Sequence, residues 1–243
     1  MAESQEEYEF IRYGSSALSV DSLADKRGFV EVPPWLPTGA SPVRYVLNWG
    51  GFEADNVIAV HCVHVDSEDI KKLKAYGASI AVCPRCNAQL SMGVAPMMEF
   101  LRSGLTVGLG TGYGVSTETT DLLAEMRFGM LLNRAVNPGK FIDAATMMRM
   151  ATIEAAKALK MDNLIGSIEI GKRADLAVVD LSDSRQMPTD DPVSAVVSTC
   201  TAADVLMTMV DGSVRYEKNG WHVDVEVARD IARVIEIRGK LRK

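Results

Sequence analysis

The sequence predicts an α/β fold in which parallel strands are covered by helices and a small β module follows. Two observations carry this prediction. Between residues 57 and 135, short apolar, β-branched runs alternate strictly with helical segments. Strands that are apolar on both faces belong in a parallel sheet with a helix packed on each side. After residue 160 the pattern changes to short β-type runs punctuated by glycine turns, as antiparallel strands require. The chain therefore divides into residues 1–160 and 161–243.

Residues 3–18 read as a helix, with Tyr8, Ile11 and Leu18 among charges. The stretch 28–42, GFVEVPPWLPTGASP, holds four prolines and two glycines and is a loop. A helix enters at Ser41, with Pro42 in its first position, and ends at Gly50-Gly51. VIAVHCVHV (57–65) is a buried strand, and DSEDIKKLKAYG (66–77) a helix opened by an aspartate cap and closed by glycine. SIAVCP (79–84) and TVGLGTG (106–112) are strands; APMMEFLRSG (95–104), 117–135 and 143–159 are helices. Three consecutive βα units, four at most, fit part of a TIM barrel or a doubly wound sheet. Hairpins are expected over 163–181, turning at Gly171-Lys172, and over 205–223, turning at Asp211-Gly212. The tail is an amphipathic helix with a basic end that suits its dipole.

Bulk properties exclude several classes. The chain is 47% hydrophobic and 24% charged with a formal net charge of -6, so nothing draws it electrostatically to nucleic acid or to an anionic membrane. No apolar run approaches the roughly 20 residues of a membrane span. The first ten residues, MAESQEEYEF, are acidic rather than signal-like. Four cysteines in 243 residues are too few for a disulfide scaffold, which points to reduced thiols and a cytoplasmic location.

The candidate chemistry clusters at strand ends. His61 and His64 close the run VIAVHCVH, where polar groups in parallel βα folds line the site. One or both can act as ligand or proton relay, and one can instead pack on the next element. Cys83-Pro84-Arg85-Cys86 has the spacing of a metal knuckle or redox pair. Joined with His61 and His64 it makes a structural zinc set. Against the redox reading, the next helix is expected to begin only near Pro96, and Cys83 reads as a small core residue. GLGTGYG (108–114) lacks the lysine of a phosphate loop and the spacing of a dinucleotide fingerprint. Glu118, Asp121, Glu125 and Arg127 read as a solvated or ion-paired face; Met97-Met98 and Met147-Met148 read as core.

The stretches AESQEEYEFIRYG, PPWLPTGASPVRYV, VHCVH, CPRCNAQLSMGVAPMMEFLRSGLTVGLGT, DLLAEMR and IGSIEIGKRADLAVVDL run in one order from residue 2 to about 215. As a set they resemble the amidohydrolase superfamily. The branch is the one holding methylthioadenosine/S-adenosylhomocysteine deaminases, aminodeoxyfutalosine deaminases and triazine-type chlorohydrolases. The resemblance implies a partial TIM barrel, about the last three to four βα units, with part of a small C-terminal β-sandwich. It also implies a zinc-type divalent metal that activates water, and hydrolysis of a C–N bond in a small purine-nucleoside-like substrate. On that pattern Glu3 is a proton shuttle, His61 a site histidine, and Arg85 and Asn87 the polar candidates for the substrate pocket.

The same resemblance marks what this sequence lacks. The family's first-strand His-x-His pair has no counterpart, and the ligand histidine paired with Glu3 would fall immediately before Met1. The eighth strand ends Gly110-Thr111-Gly112 where the family has Gly-Thr-Asp, so the aspartate ligand is a glycine. Two expectations follow. The first is a truncated hydrolase, inactive or impaired and without stably bound metal, whose open edge leaves it poorly folded or held by another chain. The second is a non-catalytic interaction or regulatory subunit that pairs with a full-length paralogue or with a second copy of itself.

Overall fold

The computed structural model describes residues 4–13, 38–112, 119–218 and 220–222, with Arg229, Arg233, Glu236, Ile237 and Lys240 in helical conformation. Glu3, Leu18, Glu118 and most of the 28–42 loop lie outside the described residues. Helix α1 (Gln5–Tyr13) is followed by α2 (Pro42–Asn48). Ser41 caps α2 by accepting from the Arg44 N–H, and Pro42 occupies the first turn, where its missing N–H costs nothing.

Three parallel strands come next, β1 (Ile58–Val60), β2 (Ser79–Val82) and β3 (Val107–Leu109), in the spatial order β1-β2-β3. Between them run α3 (Ser67–Ala75), α4 (Pro84–Gln89) and α5 (Met97–Ser103). After β3 come α6 (Leu122–Val136), α7 (Ala144–Ala151) and α8 (Ile153–Ala158). Ile80, Val82, Phe100 and Met147 are wholly or almost wholly buried, placing the core between the sheet and its helices. Met97 and Met147 are core, as their pattern predicts. Gly108 allows α8 to lie directly on β3, because a Cβ there would stand 3.1 Å from the Ala155 Cα. Three strands make an open sheet and close no barrel among the described residues.

The second sheet is antiparallel, in the order β4 (Leu176–Val179), β5 (Val205–Val210), β6 (Ser213–Glu217), β7 (Gly220–Trp221). Helix α9 (Pro192–Thr199), capped by Asp191, connects β4 to β5. The β5–β6 turn is Asp211-Gly212, both at positive φ, the conformation that a two-residue hairpin favours.

Several sequence expectations need correction. The strand expected over 57–65 stops at Val60, because His61 and Cys62 take φ of 68° and 46° and leave the extended region. The helix expected over 143–159 is two helices. They break at Thr152 (φ -124°, ψ -99°), whose hydroxyl donates to the Met148 carbonyl instead of continuing the ladder. The hairpin expected over 163–181 contributes only β4. Residues 161–175 form turns, and Ile168 and Ile170 stand in solvent at 89% and 107% exposure. Their alternation with polar residues mimics a strand, yet no neighbouring strand pairs with them among the described residues.

Candidate functional site

The carboxyl ends of β1, β2 and β3 lie at one edge of the sheet. The His61 N–H still donates to Ala81 O at 2.9 Å, and the Gly110 N–H to Val82 O at 2.9 Å. His61, Cys83 and Gly110 therefore leave the sheet side by side. At His61 the chain turns sharply, with the Cys62 N–H donating back to Val60 O at 2.9 Å. This three-residue turn around a positive φ is the rare, strained kind, and such strain, about 1–3 kcal/mol, is retained where surroundings hold it in place. Here the holding group is Asn87, whose Oδ1 lies 2.7 Å from His61 Nδ1.

Both side chains are buried, His61 at 5% exposure and Asn87 at 2%. With the amide oxygen accepting, Nδ1 carries the proton and Nε2 is the basic nitrogen. Asn87 Nδ2 has no hydrogen-bond partner among the described residues. His64 turns the other way, its Nε2 2.8 Å from the Met92 carbonyl. Of the two alternatives read from the sequence, one strand-end histidine and one packing histidine describes the arrangement.

Asn87 comes from α4, a short helix that the sequence reading missed. The next helix is expected near Pro96, but Cys83 is in fact the cap of α4 and Pro84 its first residue. Proline in a first turn is the signal that could have found it. Cys83 and Cys86 thus straddle a helix start, so the objection to a redox pair based on helix position falls. Both thiols are buried, at 2% and 1%. The structural zinc set also fails. No group of three His, Cys, Asp or Glu side chains converges among the described residues, and His61 and His64 have the partners given above.

Arg85 is half-buried, with its Nη1 donating to Thr119 Oγ1 at 2.9 Å. Its backbone N–H donates to Glu125 Oε2 at 3.1 Å. Glu125 corrects the expectation of a solvated face, because it is fully buried on α6. Burial pushes its carboxyl pKa up, opposed by the Arg85 N–H, and Oε1 has no hydrogen-bond partner among the described residues. Arg127 likewise turns inward, donating to the carbonyls of Val197 and Cys200. Asp121 is the cap of α6. Glu125 was legible in principle: Met126, Gly129, Met130 and Asn133 form a helical stripe that includes it.

The residues present do not fit a catalytic metal of the kind that takes about three protein ligands. At the end of β3 stands Gly112, with no donor and with a φ of 72°. An open apolar cleft of about 1190 Å³ lies elsewhere, between α6–α8 and β4–β5, and is lined by Met126, Met148, Leu159, Val179 and Val205 among others. None of His61, Arg85 and Asn87 lines it.

Comparisons with known proteins bear on this edge. Residues 25–215 match the model of the Amidohydrolase family. The chain is 37% identical over 181 residues to the 5-methylthioadenosine/S-adenosylhomocysteine deaminase of Symbiobacterium thermophilum, covering 74% of this chain and 42% of that protein. Among solved structures, a zinc-bound adenosine deaminase from Xanthomonas campestris aligns with a TM-score of 0.78 at 28% identity. That alignment covers 92% of this chain and 49% of the other. Atrazine chlorohydrolase TrzN from Arthrobacter aurescens TC1, solved with zinc, aligns with a TM-score of 0.74 at 28% identity, covering 82% of this chain and 44% of its own. The chain spans less than half the length of these relatives.

Proposed function

Because the chain belongs to the amidohydrolase family, we propose that it descends from a deaminase of adenine-type nucleosides and is catalytically impaired as it stands. Hydrolase and deaminase relatives support the lineage. The observation that carries the impairment is the pairing, at one sheet edge, of a well-held His61 with a bare Gly112. In the lineage a divalent metal makes a bound water nucleophilic near neutral pH. This edge supplies one histidine toward such an ion and no carboxylate from the end of β3, where Gly112 stands.

What remains is proton handling and contact. His61 is fixed at the strand end by Asn87. Glu3 is its partner shuttle on the family pattern. Arg85, in the first turn of α4, is the cation for the rim of a small purine-nucleoside-like substrate, and Asn87 serves the site through His61.

Metal analysis of the purified chain, paired with an ammonia-release assay on adenosine, methylthioadenosine and S-adenosylhomocysteine, tests this reading. The expected result is zinc far below one per chain and no ammonia above the blank. Zinc near one per chain with turnover of any of the three would sink the impairment. A second reading, an interaction subunit that docks on a full-length paralogue or a second copy, draws on the outer edge of β1, which pairs with no strand among the described residues, and on the exposed Ile168 and Ile170. A stable complex with such a paralogue, isolated by co-expression and gel filtration, would favour it.

A further inference from the structure

Gly112 and Cys86 meet closely at the end of β3. A Cβ built on Gly112 would stand 2.7 Å from both the Cβ and the Sγ of Cys86, and 3.6 Å from the Cβ of Cys83. Real Cβ atoms essentially never approach within 3.0 Å of another heavy atom. The sulfur of the buried Cys86 could swing aside only by displacing its neighbours, at a cost, and the Cβ of Cys86 is carried by the α4 backbone and cannot move.

Helix α4 is itself pinned at several points. Its Arg85 N–H is held by Glu125 and its Asn87 by His61. Pro84 faces Gly129, where an added Cβ would stand 3.0 Å from the proline ring. The α4 backbone therefore has little room to retreat. Gly112 also has a φ of 72°, a conformation that non-glycine residues adopt at a cost.

We propose that Cys86 has taken the volume a side chain at position 112 would need, so that Cys86 and Gly112 are a coupled pair and this strand end is closed as a ligand position. Substituting position 112 alone then does not restore a carboxylate donor. Cys86 must shrink first, down to the loss of its Cβ. The ligand meaning of position 112 rests on the family reading above; the steric coupling does not.

A double-mutant cycle on the full chain tests the proposal through unfolding by urea, a readout independent of deamination. Gly112→Ala is expected to raise the unfolding equilibrium constant on the order of tenfold more in the native background than in Cys86→Gly. Cys86→Ala, which keeps the offending Cβ, should relieve less of that cost than Cys86→Gly. Equal cost of Gly112→Ala in all backgrounds overturns the proposal. So does a Cys86→Gly/Gly112→Ala chain that fails to fold when Cys86→Gly folds, since backbone strain would then be the whole obstacle. If Cys86→Gly does not fold, the cycle is read in Cys86→Ala, where removal of the sulfur must still relieve part of the cost. A Gly112→Asp chain that takes up about one zinc per chain, where the parent takes none, also overturns it. Failure of the cycle leaves the deaminase lineage standing, and failure of the lineage leaves the cycle readable.

Discussion

Glu125 illustrates how a charged residue can serve a site without facing solvent. Its carboxyl caps the first turn of the helix that carries Asn87, and burial raises its pKa above the ordinary 4.5. The sign of the pH effect follows. Above the ordinary value the unfolded chain releases a proton that the native chain keeps, so stability declines as pH rises toward the native value. Glu125→Gln keeps an oxygen for the Arg85 N–H and removes the ionisation. Thermal melts between about pH 4.5 and 8 should show a flatter pH dependence for the variant, with a melting temperature at the upper end no lower than the parent's. Parallel curves would refute the buried-carboxyl account. The sequence conveys the residue types at this site better than their surroundings. His61 was recognisable because strand ends in βα folds expose such groups. The roles of Asn87 and Glu125 depend on a helix start inside the CxxC motif and on a stripe that runs through a charge, which residue type alone does not reveal.

At the scale of elements, caps governed what could be read. Asp66 accepts from the N–H groups of Glu68 and Asp69, and Asp69 reciprocates by accepting from the Asp66 N–H. Asp66 also takes two guanidinium bonds from Arg44, at 2.9 and 3.3 Å, tying α2 to α3. Burial alone would raise the Asp66 pKa, but the Asp69 N–H and the Arg44 side chain hold it below the ordinary carboxylate value. Asp66→Ala loses both the cap and the ion pair and should cost about 2 kcal/mol. Asp66→Asn, which can still cap, should cost visibly less, with both values read from urea titrations. Equal losses would mean that the ion pair dominates. Helices with a clear cap and a closing glycine, such as α3, were legible to within a residue or two. Strand ends and the Thr152 break were not, because local propensity there yields to a turn around His61 and to a side-chain bond that ends α7.

At the scale of the molecule, an open parallel sheet is joined to an antiparallel one. The alternation of strand and helix predicted the first sheet, and the Asp211-Gly212 turn predicted the central hairpin of the second. The spacing of Ile168 and Ile170 misleads, since a period of two identifies a strand only where a neighbour pairs with it. Both isoleucines remain in solvent. Replacing both with lysine should change folding stability by no more than about 0.5 kcal/mol. It should also raise the concentration at which light scattering detects self-association. A large loss of stability would show that these side chains are covered in solution.

The spatial order β1-β2-β3 repeats the order of synthesis. Each strand docks on the one before it in the chain, closed by α3 between β1 and β2 and by α4 and α5 between β2 and β3. Contacts of this kind are local in sequence and close quickly. The asymmetry lies at the starting edge. β1 is the template on which the others are laid down, yet its own far side is paired by nothing that follows it among the described residues. The contacts that close quickly thus lie on one side of β1, while its other side leaves, among the described residues, a row of strand backbone groups of the kind that templates pairing with a further strand.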